Sequence, residues 1–342
     1  MNPYTAMALQ VACHAINRAP DTASARASIQ ENVSRIAGQV RAARRFQGDS
    51  LKLVVLPEYV LTGFPMGESF PNWIERACIT TDGPELAELA AVAEDTGVWV
   101  CINAYDTDED FPGLYFQSTF VLDEDGQVAL RYRRLNSMFA PTPHDVWSAY
   151  LEREGLDGVF PVADSPLGRL AAVASEEILY PEIARAAVLR GGAEVLLHPT
   201  SEVGSPAMTP KAIAKRARAV ENLAYVVSSN TARLEGTDIP SGSTDAMSVV
   251  IDPEGRVLAE AGPGESIVAT AEIDIEGLRR RRRTPRMSNL LARQRLELFA
   301  PVYAGEQGYP ADTLAGVAHP DREHFLDVQR QTIERRTADG RL

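Results

Sequence analysis

Cysteine is scarce in this chain of 342 residues, which holds three, Cys13, Cys78 and Cys101. An odd number without paired spacing excludes a disulfide framework and fits a reducing compartment, with all three thiols as small core residues. No apolar run approaches the ~20 residues that span a bilayer. The N-terminus lacks a basic stretch followed by an apolar core, so a cytoplasmic location is expected. Positive charge is in deficit, with 34 Lys and Arg against 47 Asp and Glu, a net −13. That balance speaks against nucleic acid and anionic membranes as partners and favours solubility. On such a chain the run Arg279–Arg283 predicts a solvated face, or a patch that meets an acidic surface of a second subunit. No glycine-rich phosphate loop or low-complexity linker occurs. His198, with no Cys or acid at ligand spacing, gives no metal site.

What is present is an ordinary globular composition, 45% apolar and 24% charged, with ample core. Strands are expected over Met7–His14, Leu51–Glu58, Val98–Tyr105, Glu194–His198, Ala224–Ser228 and Ile267–Ile273. Hairpins are expected at Gln117–Tyr132, turning at Asp123–Gly126, and at Ser248–Glu260, turning at Pro253–Gly255. The three- and four-residue spacing of Ile29, Val33, Ile36, Val40 and Ala43 predicts a helix over Thr22–Phe46. Further helices are expected at Pro84–Thr96, Glu182–Arg190, Pro210–Leu223 and Met287–Phe299. Residues 136–148 read as a Pro-rich loop and the last 40 as an extended tail. The two hairpins interrupt the strand–helix alternation, which predicts mixed sheets with helices packed outside.

The stretch from Leu170 to Glu182 organises the site. A strand of small apolar residues ends abruptly in Ser175-Glu176-Glu177, and a helix opens at Pro181, where a missing N–H costs nothing. Ser175 thus sits at a strand-to-helix elbow, which lifts its side chain out of the sheet and points N–H groups at whatever approaches. Glu58 closes another buried strand, so its carboxylate is either solvated at the sheet edge or held in a cleft.

Several motifs, in order over roughly residues 7–300, make the chain resemble the nitrilase (carbon–nitrogen hydrolase) superfamily. Leu56-Pro57-Glu58-Tyr59, followed by Leu61-Thr62-Gly63-Phe64, is similar to its glutamate motif. Tyr132-Arg133-Arg134 occupies the place of Tyr-Arg-Lys, and Ser175-Glu176-Glu177 with Pro181-Glu182 and Arg185 that of the cysteine elbow. The strand from Gly192 to Pro199-Thr200-Ser201 is similar to the family's next one. Arg218 to Val226 is similar to Arg-x-x-Glu-Asn-x-x-Tyr-Val. The resemblance implies an α/β fold, the four-layer α-β-β-α sandwich, over residues 1–300. It implies a C-terminal arm, 301–342, that packs on a partner subunit of a homodimer or larger homo-oligomer. It also implies cofactor-free hydrolysis of a small amide or related C–N bond, with a Glu base, a Cys nucleophile and a Lys that stabilises the tetrahedral intermediate.

Of these three core positions only Glu58 keeps the family identity. Arg134 stands for the Lys and Ser175 for the Cys, and the loop after Arg134 offers His144 and Asp145 where a second Glu is usual. Three readings stay open. Ser175 is a working nucleophile, which as a hydroxyl needs an aligned base, either Glu58 or His144. Alternatively the pocket binds or assembles without chemistry, as a pseudoenzyme. Thirdly, Ser175 is an engineered trap in an active amidase. Arginine prefers planar two-point partners and does not give up its proton, so an Arg134–Glu58 fork would tie up the base. Tyr59, Glu176 and Ser201 are the expected pocket residues, with the residues after Gly204. Glu177 is expected to orient the elbow, and Glu221 to brace Glu58 or Arg134.

Overall fold

The structure, a computed structural model, describes residues 2–202, 208–306, 308–317 and 320–342. Among the described residues fourteen strands form in chain order: Tyr4–Ala8 (β1), Cys13–His14 (β2), Leu51–Val55 (β3), Trp99–Asp106 (β4), Phe116–Leu122 (β5), Val128–Arg133 (β6) and Ala163–Ser165 (β7). Gly168–Ala172 (β8), Val195–Thr200 (β9), Tyr225–Asn230 (β10), Leu234–Glu235 (β11), Val249–Ile251 (β12), Val257–Glu260 (β13) and Thr270–Ile273 (β14) follow. Two six-stranded sheets result, in the orders β14-β1-β3-β4-β5-β6 and β13-β12-β10-β9-β8-β7, beside a small β2–β11 pair. The central strands are parallel and the hairpin arms antiparallel, so both sheets are mixed.

Successive side chains of a strand face opposite sides, and here both sides are apolar. Leu53 and Val55 join one core, packed with Leu196, Val226 and Val250 of the second sheet. Val54 and Leu56 join the other core, packed with Ile29, Val33, Ile36 and Val40 of the helix Thr22–Gln47. On the far side of the second sheet, Ala184 and Val188 of the helix Pro181–Gly191 and Ala219 of the helix Pro210–Asn222 close the stack. The layers therefore run helix, sheet, sheet, helix, which is the α-β-β-α sandwich. All three cysteines are buried and unpaired. Among the described residues no helix is long and apolar enough to cross a membrane.

Several expected elements need correction. Met7–His14 is two short strands rather than one. The stretch 287–299 forms turns with one short 3₁₀ segment, Leu296–Leu298, because Ser288 and Asn289 bond neighbouring backbone instead of continuing a helix. The loop 136–148 runs into an unforeseen helix, Trp147–Val159. The expected extended tail contains the helix Arg322–Ala338, capped by Asp321, whose carboxylate accepts the His324 N–H. Rather than reaching only outward, the tail docks on its own chain, where Leu314 and Phe325 are buried in the helix-side core. The five arginines lie on another unforeseen helix, Ile275–Arg283. Four of them have partners within the chain: Arg279 holds Glu194 at two points, Arg280 lies 3.6 Å from Asp274, Arg281 pairs with Glu254, and Arg282 donates to four backbone carbonyls.

Candidate active site

The sheet order brings four strand ends to one edge. Glu58 follows β3, Arg134 follows β6, Ser175 follows β8 and Ser201 follows β9. Carboxyl ends of parallel strands are where open α/β sheets place ligands, because loops and helix N-termini converge there.

Glu58 is 1% exposed, so its carboxylate needs partners, and it has three. Gln117 Nε2 donates to Oε1 at 2.7 Å, Arg134 Nη1 lies 3.2 Å from the same oxygen, and the Ser201 N–H donates to Oε2 at 3.0 Å. The Arg134–Glu58 contact is thus a single-point one, and the two-point fork considered from the sequence does not form. The guanidinium instead bridges. Nη1 also donates to Gln117 Oε1 at 2.6 Å, Nη2 to Glu176 Oε1 at 2.5 Å and Nε to the Asn136 carbonyl at 2.7 Å. Burial disfavours the Arg134 charge, but Glu58, Glu176 and Glu177 outweigh it and hold the group above its ordinary pKa. It stays a fixed cation.

The elbow is built from backbone bonds. Ser175 has φ +54°, a left-handed conformation that a non-glycine residue adopts only when its surroundings impose it. His198 Nε2 lies 2.8 Å from the Ser175 carbonyl and Nδ1 2.8 Å from the Ser228 hydroxyl. A carbonyl only accepts, so Nε2 carries the hydrogen and Nδ1 accepts from Ser228. Burial, with Lys215 nearby, lowers the His198 pKa to about 3 and keeps the ring neutral. Glu177 receives four donors: Tyr132 Oη at 2.7 Å, and the N–H groups of Leu135 at 2.6 Å, Asn136 at 3.0 Å and Ala174 at 3.1 Å. Its complete burial nonetheless raises its pKa to about 7. Arg218 then donates Nε to the Ile178 carbonyl at 2.9 Å and Nη2 to that of Leu179 at 3.2 Å. Glu221 was expected on Glu58 or Arg134; it pairs with Arg218 at 2.7 Å, because the helix spacing of three sets these two side by side.

The remaining residues singled out from the sequence divide. Tyr59, at φ +37°, stacks on Tyr105 with centroids 6.4 Å apart; its buried phenol, raised well above its ordinary pKa, lies beside the Ser201 hydroxyl. His144 and Asp145 stand apart from Glu58, on a cavity of about 590 Å³ that Glu176 also lines. Asp145 is a brace there, bonded to the Thr142 N–H and hydroxyl and to the Thr313 hydroxyl. Among the described residues no hydrogen bond joins the Ser175 hydroxyl to Glu58 or His144. The pocket stretch expected after Gly204 falls on 203–207, outside the described residues. Gln117 and Asn103 were missed. Asn103 Oδ1 accepts from Gln117 at 3.0 Å and so fixes the amide that holds Glu58. Their signal was a lone amide in each strand: Asn103 inside the apolar run Val98–Tyr105, and Gln117 beside Ser118 and Thr119 in β5.

An α-β-β-α sandwich with an acid, a fixed cation and an elbow hydroxyl at one strand edge has the framework of the nitrilase superfamily. The carbon-nitrogen hydrolase family profile matches residues 10–283, and the chain belongs to that family. Among curated relatives, a formamidase from Pseudomonas syringae pv. tomato is 26% identical over 249 residues, 72% of this chain and 67% of its own. Omega-amidase NIT2 of Bos taurus is 28% identical over 249 residues, 72% of this chain and 84% of its own. The chain spans about two thirds of the formamidase's length. The crystal structure of Saccharomyces cerevisiae Nit3, a member of branch 10 of the nitrilase superfamily, superposes with a TM-score of 0.63 at 21% identity. It covers 82% of this chain and 93% of that one, and shows the shared fold.

Proposed function

We propose that the chain hydrolyses a small amide or related non-peptide C–N bond through Ser175, with Glu58 as base and Arg134 as the charge that meets the oxyanion. The observation that carries this reading is the left-handed Ser175, held at the elbow by His198 and Glu177 beside the guanidinium that bridges Glu58 and Glu176. Relatives named formamidase and omega-amidase support the bond type. In this scheme Ser175 Oγ attacks the carbonyl carbon while its proton passes to Glu58. Arg134 faces the oxygen that gains charge. Collapse breaks the C–N bond and the leaving nitrogen takes the proton from Glu58. Water, deprotonated by Glu58, then cleaves the oxygen ester and returns Ser175. No cofactor takes part. A homo-oligomer and a reducing, cytoplasmic setting complete the reading; the exposed Leu298, Phe299 and Val302 offer apolar surface for a second subunit.

Intact mass after exposure to an activated ester tests it. One acyl group added to the native chain, and none to Ser175→Ala, is the expected result. A second reading, a binding protein without turnover, is favoured by the three donors that already occupy the Glu58 carboxylate. An unlabelled Ser175 in a chain that still binds amides would establish it.

A further inference from the structure

The family profile ends at residue 283, yet the chain beyond it builds a wall of the cavity beside the Arg134–Glu176 pair. Glu176, the residue after Ser175, lines this cavity, as do Leu135 and Asn136, the residues after Arg134. Tyr309, Phe325 and Gln329 supply the opposite wall from the tail. The tail is tied down there. The N–H groups of Asp312 and Leu314 donate to the carbonyls of His144 and Asp145 at 3.0 and 2.9 Å, and Thr313 Oγ1 donates to Asp145 at 2.7 Å. Asp312 also accepts from the N–H and hydroxyl of Ser148 at 2.8 and 2.6 Å. Phe325 is 3% exposed and stacks on Phe70 with centroids 6.2 Å apart. These contacts cross-link the tail to residues 142–148, so the wall is part of the folded subunit.

Apart from the His144 imidazole, the charged side chains of the lining have one sign. Its described residues include the carboxylates of Glu176, Glu182 and Asp145 and no lysine or arginine. Arg134 offsets one of these charges, through Glu176. Tyr180, Tyr309 and Phe325 bring aromatic rings into the same space. Ring faces and carboxylates both attract a cation and repel a carboxylate. The cavity of about 590 Å³ also has room for more than a one- or two-carbon amide. Resting on the amide reading above, we propose that the tail acts in cis as the specificity wall of the site, selecting amides whose far end carries a protonated amine. Glu182 and the tail aromatics hold the ammonium while the amide end reaches the elbow.

Calorimetry on the full-length Ser175→Ala chain tests this with hexanamide, 6-aminohexanamide, adipic acid monoamide and hexylamine. The amino-amide should bind about tenfold tighter than hexanamide, the combined size of one half-exposed ion pair and one cation–π contact, and the acidic amide weakest. Glu182→Gln, at an exposed position, and separately Tyr309→Ala with Gln329→Ala, should each bring the ratio of amino-amide to hexanamide below about threefold. Equal binding of hexanamide and the amino-amide would overturn the selection and leave the amide reading intact. An unchanged ratio in the tail variant would overturn the tail's role. Binding of hexylamine and the amino-amide alike, with none of hexanamide, would keep the cation site and remove the amide reading; binding of none would remove both.

Discussion

The two halves of the candidate site are held by different means. Around Glu58, on the first sheet, side chains mainly answer side chains: a carboxylate, the Gln117 amide and the Arg134 guanidinium satisfy one another, with the Ser201 N–H and the Asn136 carbonyl as the backbone partners. Around Ser175, on the second sheet, side chains answer backbone. Glu177 collects three N–H groups, His198 donates to the Ser175 carbonyl, and Arg218 donates to those of Ile178 and Leu179. The second kind of support does not depend on which side chain stands at 175. The first kind does depend on identity. Arg134 spreads its contacts over Glu58, Gln117, Glu176 and Asn136.

The sharpest way to break this comparison is kinetic. Ser175→Cys alone should yield partial amidase activity. Adding Arg134→Lys should raise it by about 10²-fold, the worth of one well-placed oxyanion donor. Full turnover from the single change would show that Arg134 serves as well as lysine. On the backbone side, Glu177→Gln should cost about 1–3 kcal/mol in denaturant unfolding, because its NH₂ faces N–H groups and leaves a donor unmet.

The smallest effect lies in the pH dependence of Tm. His198 is lowered from 6.5 to about 3, so the folded chain binds fewer protons there than the unfolded one, and stability falls as pH drops from 6.5 toward 3. Glu177 is raised from 4.5 to about 7, so the folded chain binds more protons, and stability falls as pH rises from 4.5 toward 7. The two oppose each other between 4.5 and 6.5. His198→Asn should leave the Glu177 trend alone, with Tm declining more steeply as pH rises through that window.

Much of this was legible in the sequence wherever burial imposes a pattern. The apolar runs Leu51–Leu56 and Val98–Tyr105 became β3 and β4, and the helix Pro84–Thr96 formed with those bounds. Elements whose ordering comes from tertiary partners were not legible. Arg279–Arg283 reads as a solvated face or a patch for a second subunit, yet Glu194 and helix-end carbonyls of the same chain recruit its arginines. Asp312 and Leu314 read as tail because the acceptors that fix them, the His144 and Asp145 carbonyls, lie more than a hundred residues away. At the site, the strand-end residues Glu58, Arg134 and Ser175 were visible as motif positions. Gln117 was not, since only its register opposite Tyr105 brings its amide toward Asn103 and Glu58.

Arg282 carries one more consequence. Its guanidinium donates to Gly192 and Ala193, just past the helix Pro181–Gly191, and to Asn222 and Leu223, at the end of the helix Pro210–Asn222. A positive group suits the negative end of a helix, and here one group serves two. The two C-terminal helix ends are thus tied together within one turn of Arg218, whose side chain holds the Ile178 and Leu179 carbonyls. Loosening that single tie would slacken Arg218, and with it the turn that carries Ser175.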